Sequence, residues 1–178
     1  MSDRQLTLFS KTVIQLMSEG QLHVMHRYIQ HGSITTLDHS LMVAYYSWRL
    51  NRRFRLKADE ISLIRGALLH DYFLYDWHVS EKWHRFHGFR HPTFALVNAR
   101  QDYQLNKIEE EIIKKHMWPL TVIPPTCREA WIVNVMDTFS SIVEVMMEYR
   151  IFAGLKRKWY ERLDEAIFKY IKENIIEA

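Results

Sequence analysis

The chain has 178 residues, enough for one domain with a sizeable core. Hydrophobic residues make up 48% and charged residues 25%, a globular balance that argues against disorder. The 24 lysines and arginines against 21 acids leave a net charge of +3. That is too mild for a typical binder of nucleic-acid polymers but compatible with a small anionic substrate.

Five glycines and four prolines are few for an all-β chain, which needs many tight turns. Cys127 is the one cysteine, which excludes an internal disulfide and suits a reducing cytoplasm, the expected location. The polar stretch Met1-Ser2-Asp3-Arg4-Gln5 is followed by no signal-peptide apolar core, and no apolar run approaches membrane-spanning length, so no membrane partner is expected. No repeat, low-complexity tract or linker interrupts residues 1–178. Oligomeric state is not legible.

In chain order, Leu6, Phe9, Val13, Leu16 and Met17 follow helical spacing and predict a helix over about Gln5 to Met17, ended by Gly20. A second helix is expected from about Leu22 to Gln30. The turn at His31-Gly32-Ser33 leads into a capping signature in which Thr35 caps and Asp38 reaches back. The helix that follows, about Thr36 to Arg52, carries His39 in its first turn, with Met42, Val43 and Tyr46 on the same side. Its end, Asn51-Arg52-Arg53-Phe54-Arg55-Leu56-Lys57, reads first as a solvated helix terminus whose cations complement the dipole, with phosphate attraction as the alternative.

Asp59 then caps an expected helix from Glu60 to about Tyr75, with Ile61, Leu63, Ile64, Ala67 and Leu68 forming a wide apolar face. Near its end stands Ala67-Leu68-Leu69-His70-Asp71-Tyr72-Phe73-Leu74. A carboxylate in such apolar company needs a partner or a metal, and the adjacent imidazole is a second ligand type that transition metals favour. Residues Asp76 to Arg90, crowded with Trp77, His78, Trp83, His84, Phe86, His87 and Phe89, break the helical period. They read as a lid or pocket wall, or else as aromatic cover for the end of the core.

His91-Pro92 opens the next expected helix, with Pro92 at its first position and Phe94, Leu96 and Val97 inward. Asn106 caps a helix to about Met117 whose Ile108, Ile112 and Ile113 share a face with His116. Thr126 caps a long helix to about Tyr149, with Asp137 on the side of Val133, Ser140 and Ser141. After Gly154 a last amphipathic helix runs from about Lys158 to Ile176. The pattern is an all-α bundle of about eight helices.

His39, His70, Asp71, His91, His116 and Asp137 supply four imidazoles and two carboxylates, mostly from different helices. A bundle builds metal centres from such inward-facing ligands. Six of them can hold two divalent ions if one carboxylate bridges, and Asp71 is the natural bridge. Mixed nitrogen and oxygen ligation suits Mn, Fe, Co, Ni or Zn. Any one of these residues alone reads as ordinary core or surface; the ordered set points to metal.

The order H…HD…H…H…D resembles the HD superfamily of metal-dependent phosphohydrolases. The resemblance rests on Thr36-Leu37-Asp38-His39-Ser40-Leu41-Met42-Val43-Ala44, on Gly66-Ala67-Leu68-Leu69-His70-Asp71 and on Val135-Met136-Asp137, and covers about Thr35 through Ser141, so that a motif-bearing core over about 35–145 carries N- and C-terminal helices packed on it. It implies an all-helical fold with His39, His70, Asp71 and Asp137 on one metal, and with His91 and His116 joining Asp71 on a second. Many members follow the pair with a glycine and a lysine, where this chain has Tyr72 and Phe73. The implied activity is hydrolysis of a phosphomonoester or phosphodiester in a small nucleotide or phosphorylated metabolite. Asp71 and Lys115 are the candidate catalytic residues, and His31, Arg90 and Lys115 the candidate substrate contacts. Two other readings share the ligand order: a di-iron oxygenase, and a catalytically idle sensor that binds metal or nucleotide.

Overall fold

The computed structural model describes residues 7–32, 34–79 and 87–148, without the side chains of residues 31, 87, 147 and 148. The expected helix over 158–176, Gln5 and Leu6, and residues 80–86 of the aromatic segment lie outside the described residues, while residues 87–90 of that segment are helical. Within them are six α-helices, one 3-10 helix and a two-stranded ribbon. The mostly helical expectation holds.

Helix α1 (Leu8–Glu19) is capped by Thr7, whose hydroxyl receives the Ser10 amide, and buries Phe9, Val13, Leu16 and Met17 as its spacing requires. Gly20 ends it. The backbone there is extended, so the need for glycine is space: a Cβ would lie 2.5 Å from the Tyr103 ring. The Tyr103 hydroxyl in turn accepts the Leu22 amide at 3.0 Å.

The expected second helix is replaced by a 3-10 helix (Leu22–Arg27) and strand β1 (Ile29–His31), paired antiparallel with β2 (Ile34–Thr35). The chain turns back at Gly32 (φ 57), and the Tyr28 carbonyl receives the Thr36 amide, so its hydrogen bonds go across the ribbon and not along a helix.

Helix α2 (Thr36–Phe54) begins with the expected capping box, Thr35 and Asp38 satisfying each other's backbone amides. It runs two residues past the expected Arg52 and stops at Arg55, which is left-handed (φ 51). Helix α3 (Glu60–Leu69) is capped by Asp59 as expected but ends well before Tyr75. The cause is side-chain competition for the last carbonyls. The His70 ring takes the Ala67 carbonyl through Nδ1 at 2.6 Å, and the Tyr72 amide turns tightly onto Leu69 at 3.1 Å. Ile61, expected inward, is 50% exposed.

Helix α4 (His87–Asp102) starts four residues before the expected His91, placing Pro92 inside it and not at its first position. Pro92 sits early enough to cost only the hydrogen bond to the first turn, at Gly88. Ala95, Leu96 and Ala99 face the core, while Val97 is 48% exposed, contrary to expectation. Asn98 of α4 donates to the Tyr72 and Phe73 carbonyls, and Asp102 accepts the buried Tyr72 hydroxyl at 2.6 Å. Those contacts clamp the chain just after His70-Asp71.

Helix α5 (Lys107–Lys115) has the capping box of Asn106 and Glu109 and ends at His116. Helix α6 (Arg128–Glu148) starts one residue later than a Thr126 cap would place it. Thr126 gives both its amide and its hydroxyl to Glu111, so Cys127 takes the cap position and receives the Trp131 amide at 3.3 Å.

Helices α2, α3, α5 and α6 pack around one apolar cluster that includes Leu37, Leu41, Leu63, Leu68, Ile112 and Val133. Gly66 lets α3 and α5 approach, since a Cβ there would lie 2.5 Å from Ile112 Cδ1 and 3.0 Å from its Cβ. Gly66→Ala is expected to lower stability by about 1–3 kcal/mol through overpacking, read as a lower melting temperature. An unchanged melt would show that α5 can slide away.

Candidate metal centre

Each chemistry-bearing side chain sits where a helix begins or ends, except Asp137. His39 is in the first turn of α2, His70 and Asp71 follow α3, His91 is near the start of α4, His116 ends α5, and Asp137 is midway along α6. All six are buried, and the structure brings them together. His39 Nε2 is 3.1 Å from Asp137 Oδ1 and 3.9 Å from Asp71 Oδ2. His70 Nε2 is 3.5 Å from Asp71 Oδ2 and 3.7 Å from Asp137 Oδ1. On the other oxygen, Asp71 Oδ1 lies 3.2 Å from His91 Nε2 and 3.5 Å from His116 Nε2. The two imidazole nitrogens are 2.8 Å apart.

Ring orientation follows from the far nitrogens. His70 Nδ1 donates to the Ala67 carbonyl, and His116 Nδ1 donates to the Ile113 carbonyl at 2.9 Å, the same three-residue reach at the ends of two helices. A carbonyl can only accept, so in the neutral ring the proton sits on Nδ1 and Nε2 offers a lone pair. His39 Nδ1 likewise meets Glu144 Oε2 at 2.9 Å. With the rings neutral, lone pairs on the His39 and His70 Nε2 atoms would face carboxylate oxygens across the cluster, a juxtaposition that either a proton or a metal cation relieves. His70 Nε2 and Asp71 Oδ1 are buried with no hydrogen-bond partner. Acceptors that converge without protons call for a cation. Three overlapping groups meet this demand: His39 with His70 and Asp71, His70 with His116 and Asp137, and Asp71 with His91 and His116.

The electrostatics agree. Burial drives the carboxyl pKa values of Asp71 and Asp137 upward, but the facing imidazoles overcome it and both end below the ordinary range. Burial opposes charge on His39, yet Glu144 and Asp137 raise its pKa well above the usual imidazole value. His70 is raised less, by Asp71 and Asp137 against burial. For His116, burial and the neighbouring His70 and His91 outweigh Asp71, and its pKa falls.

The other candidates behave differently. Lys115 Nζ is paired with Glu111 at 2.9 Å, one turn back on its own helix. Arg90 is exposed and lies over the Phe94 ring at 5.5 Å. The His31 side chain is outside the described residues.

Three residues of the site were not read from the sequence. Glu144, 0% exposed, backs His39. Gln30 donates to Asp71 Oδ2 at 2.8 Å while its own oxygen takes the Thr36 hydroxyl, which gives the ribbon a role in fixing the bridge candidate. Asn134 holds the His116 and Trp118 carbonyls. Glu144 alone left a signal, an acid seven residues after Asp137 on the same side of a largely apolar helix.

A comparison with protein families matches the HD domain to residues 36–142, more than half of the chain. The chain belongs to the HD-domain family. Members are generally metal-dependent phosphohydrolases, and this HD domain keeps the buried histidine and aspartate groups that could hold metal. Neither the curated proteins nor the solved structures gave a match. No helix among the described residues is long and apolar enough to cross a membrane.

Glu144→Ala is expected to weaken metal binding by about 10–100-fold, because the carboxylate behind a ligating imidazole fixes its ring and its tautomer. The raised pKa of His39 adds a pH signature. Metal needs the neutral ring, so metal-free His39 must give up a proton, and uptake should strengthen as pH rises toward that raised pKa. Removing Glu144 takes away the main charge that raises it, so the pH dependence should flatten. Metal titrations of both proteins across pH check this, and unchanged affinity and slope would reduce Glu144 to a packing residue.

Proposed function

We infer that this HD domain is a phosphohydrolase that acts on a small nucleotide or related phosphorylated metabolite through a dinuclear His/Asp centre. The observation that carries the reading is the division of Asp71. One oxygen faces His39 and His70, with Asp137 beside them, and the other faces His91 and His116. A carboxylate shared in this way suits a bridge between two seats. Ions of Mn, Fe, Co, Ni or Zn held there would supply a lowered pKa for water and neutralise the charge of a phosphoryl group.

The chain's own residues then bind and orient. Gln30 holds Asp71 Oδ2, and the Ala67 and Ile113 carbonyls hold the His70 and His116 rings. Tyr75 packs against Phe73 and Phe94, near enough to Asp71 and Arg90 for both to act on its hydroxyl. Burial and Asp71 push that hydroxyl's pKa up to about 12, so it stays a hydrogen-bond donor for a phosphate oxygen at neutral pH. Arg90, exposed one residue before His91, is the cation proposed to receive the phosphate's charge. Lys115 is paired with Glu111, which already offsets its charge. The mild net charge favours a small anion over a polymer.

The test is elemental analysis of protein purified without chelators, followed by a panel of phosphate monoesters and diesters. Two transition-metal ions per chain are expected, with phosphate release that chelation abolishes and Mn, Fe, Co or Ni restores. Absence of bound metal under every loading condition would overturn the reading.

A further inference from the structure

The C-terminal half of α2 carries a second concentration of chemistry that hydrolysis at the metal centre does not use. Arg49, Arg52 and Arg53 are all exposed and, together with Phe9, Tyr45 and Trp48, line a cleft of about 480 Å³. That volume is in the range of small-molecule sites. Tyr45 at the near edge of the cleft is six residues beyond His39, and the three arginines stand ten to fourteen residues beyond it, about 15–20 Å along the helix at 1.5 Å per residue, so they form a separate place on the molecule.

None of the three guanidiniums makes an ion pair with an acid among the described residues, whereas Arg65 and Arg100 are matched to Glu109 and Glu110. Glu60, the acid beside Trp48, is used to accept the indole N–H at 2.9 Å. Like charges three and four residues apart repel, so the fold leaves an uncancelled positive field here. Complementing the helix dipole does not explain the arrangement, because two of the arginines point away from the terminal carbonyls. Arg49 folds back over Tyr45, 5.7 Å from the ring centre, and donates to its hydroxyl at 3.1 Å. Arg52 lies 5.2 Å from the centre of the Trp48 ring, again one turn back.

A guanidinium lying over an aromatic ring still offers its other flat face, on which a base can stack, and N–H groups that match phosphate oxygens in pairs. Clustered cations on an aromatic floor fit a ligand that joins several phosphates to a flat heterocycle. We propose that the α2 cleft binds a nucleoside di- or triphosphate at a site distinct from the metal centre. The proposal does not depend on what the metal centre hydrolyses.

The experiment uses the full-length, metal-loaded protein and the non-hydrolysable imido analogue of ATP. Arginines are modified with phenylglyoxal, with and without the nucleotide, and labelling is read by mass spectrometry. Nucleotide should protect Arg49, Arg52 and Arg53 while Arg27 and Arg55 label as before, which locates the site without any mutation. The Arg49→Gln, Arg52→Gln, Arg53→Gln triple variant, checked for an unchanged melt, should bind the analogue at least about 100-fold more weakly, since charge-assisted phosphate contacts are strong individually. Unprotected arginines would overturn the proposal. So would equal protection by inorganic tripolyphosphate, which would leave the ring with no role. Much stronger protection by an RNA oligonucleotide than by the mononucleotide would assign the cleft to a polymer instead.

Discussion

Asp71→Ala is expected, on the dinuclear reading, to remove both metal ions and to lower phosphate release by more than about 100-fold, because even the residues behind metal ligands cost about 10–100-fold. The same measurements on Asp137→Ala and His116→Ala should show milder loss. Asp71 differs from them in serving both sides: its oxygens lie within 3.2 to 3.9 Å of four imidazole nitrogens. Asp137 meets two of those nitrogens, and His116 meets one of the two Asp71 oxygens. Without the Asp71 carboxylate, the four buried imidazoles keep Asp137 beside His39 and His70 but lose the anion that faces His91 and His116, which disfavours a second positive charge more than a first. The variant's fold is checked by its melt, since Gln30 also loses its acceptor. Equal residual metal in all three variants would contradict the bridging role.

What the sequence made legible here was local, or ordered along the chain. The Thr35–Asp38 capping box and the Asn106 cap were readable because their hydrogen bonds span three residues. The six ligand candidates were readable as an ordered set, and the structure gathers them. Three of the misreadings share one physical source, which is competition from partners that periodicity does not register. His70 takes a carbonyl that the helix would use, so α3 ends sooner than its apolar pattern suggests. Thr126 is drawn off to Glu111, fifteen residues away in sequence, so α6 is capped elsewhere. Gln30 looked like the end of a helix, yet it sits on a strand because Tyr28 pairs across the turn with Thr36. Its contact with Asp71, forty-one residues on, has no local signature. Glu144 is the intermediate case, since its face was readable and its partner was not.

Replacing His91 and His116 together by alanine is expected to leave one metal ion per chain while largely abolishing turnover. The two rings are the nitrogen donors that face Asp71 Oδ1, so their loss empties one side of the bridge. The other side keeps His39, His70, Asp137 and Asp71 Oδ2, with the His39 ring still held by Glu144 and the His70 ring by Ala67. Asp71 would also lose two of the groups that hold its carboxyl pKa down, though His70, the largest of the opposing influences, remains, so the carboxylate should stay ionised at neutral pH. The surviving set therefore still has the charge and geometry to bind one ion. Hydrolysis, on the dinuclear reading, needs charge on both the attacking and the leaving oxygens of the phosphoryl group, and half of that is gone. Metal stoichiometry and phosphate release are to be measured on the same preparation, with His91→Ala and His116→Ala singly as intermediates. One metal with little phosphate release supports a paired centre. Full activity with one metal would make the chemistry mononuclear, and His91 and His116 would then serve the substrate or the fold.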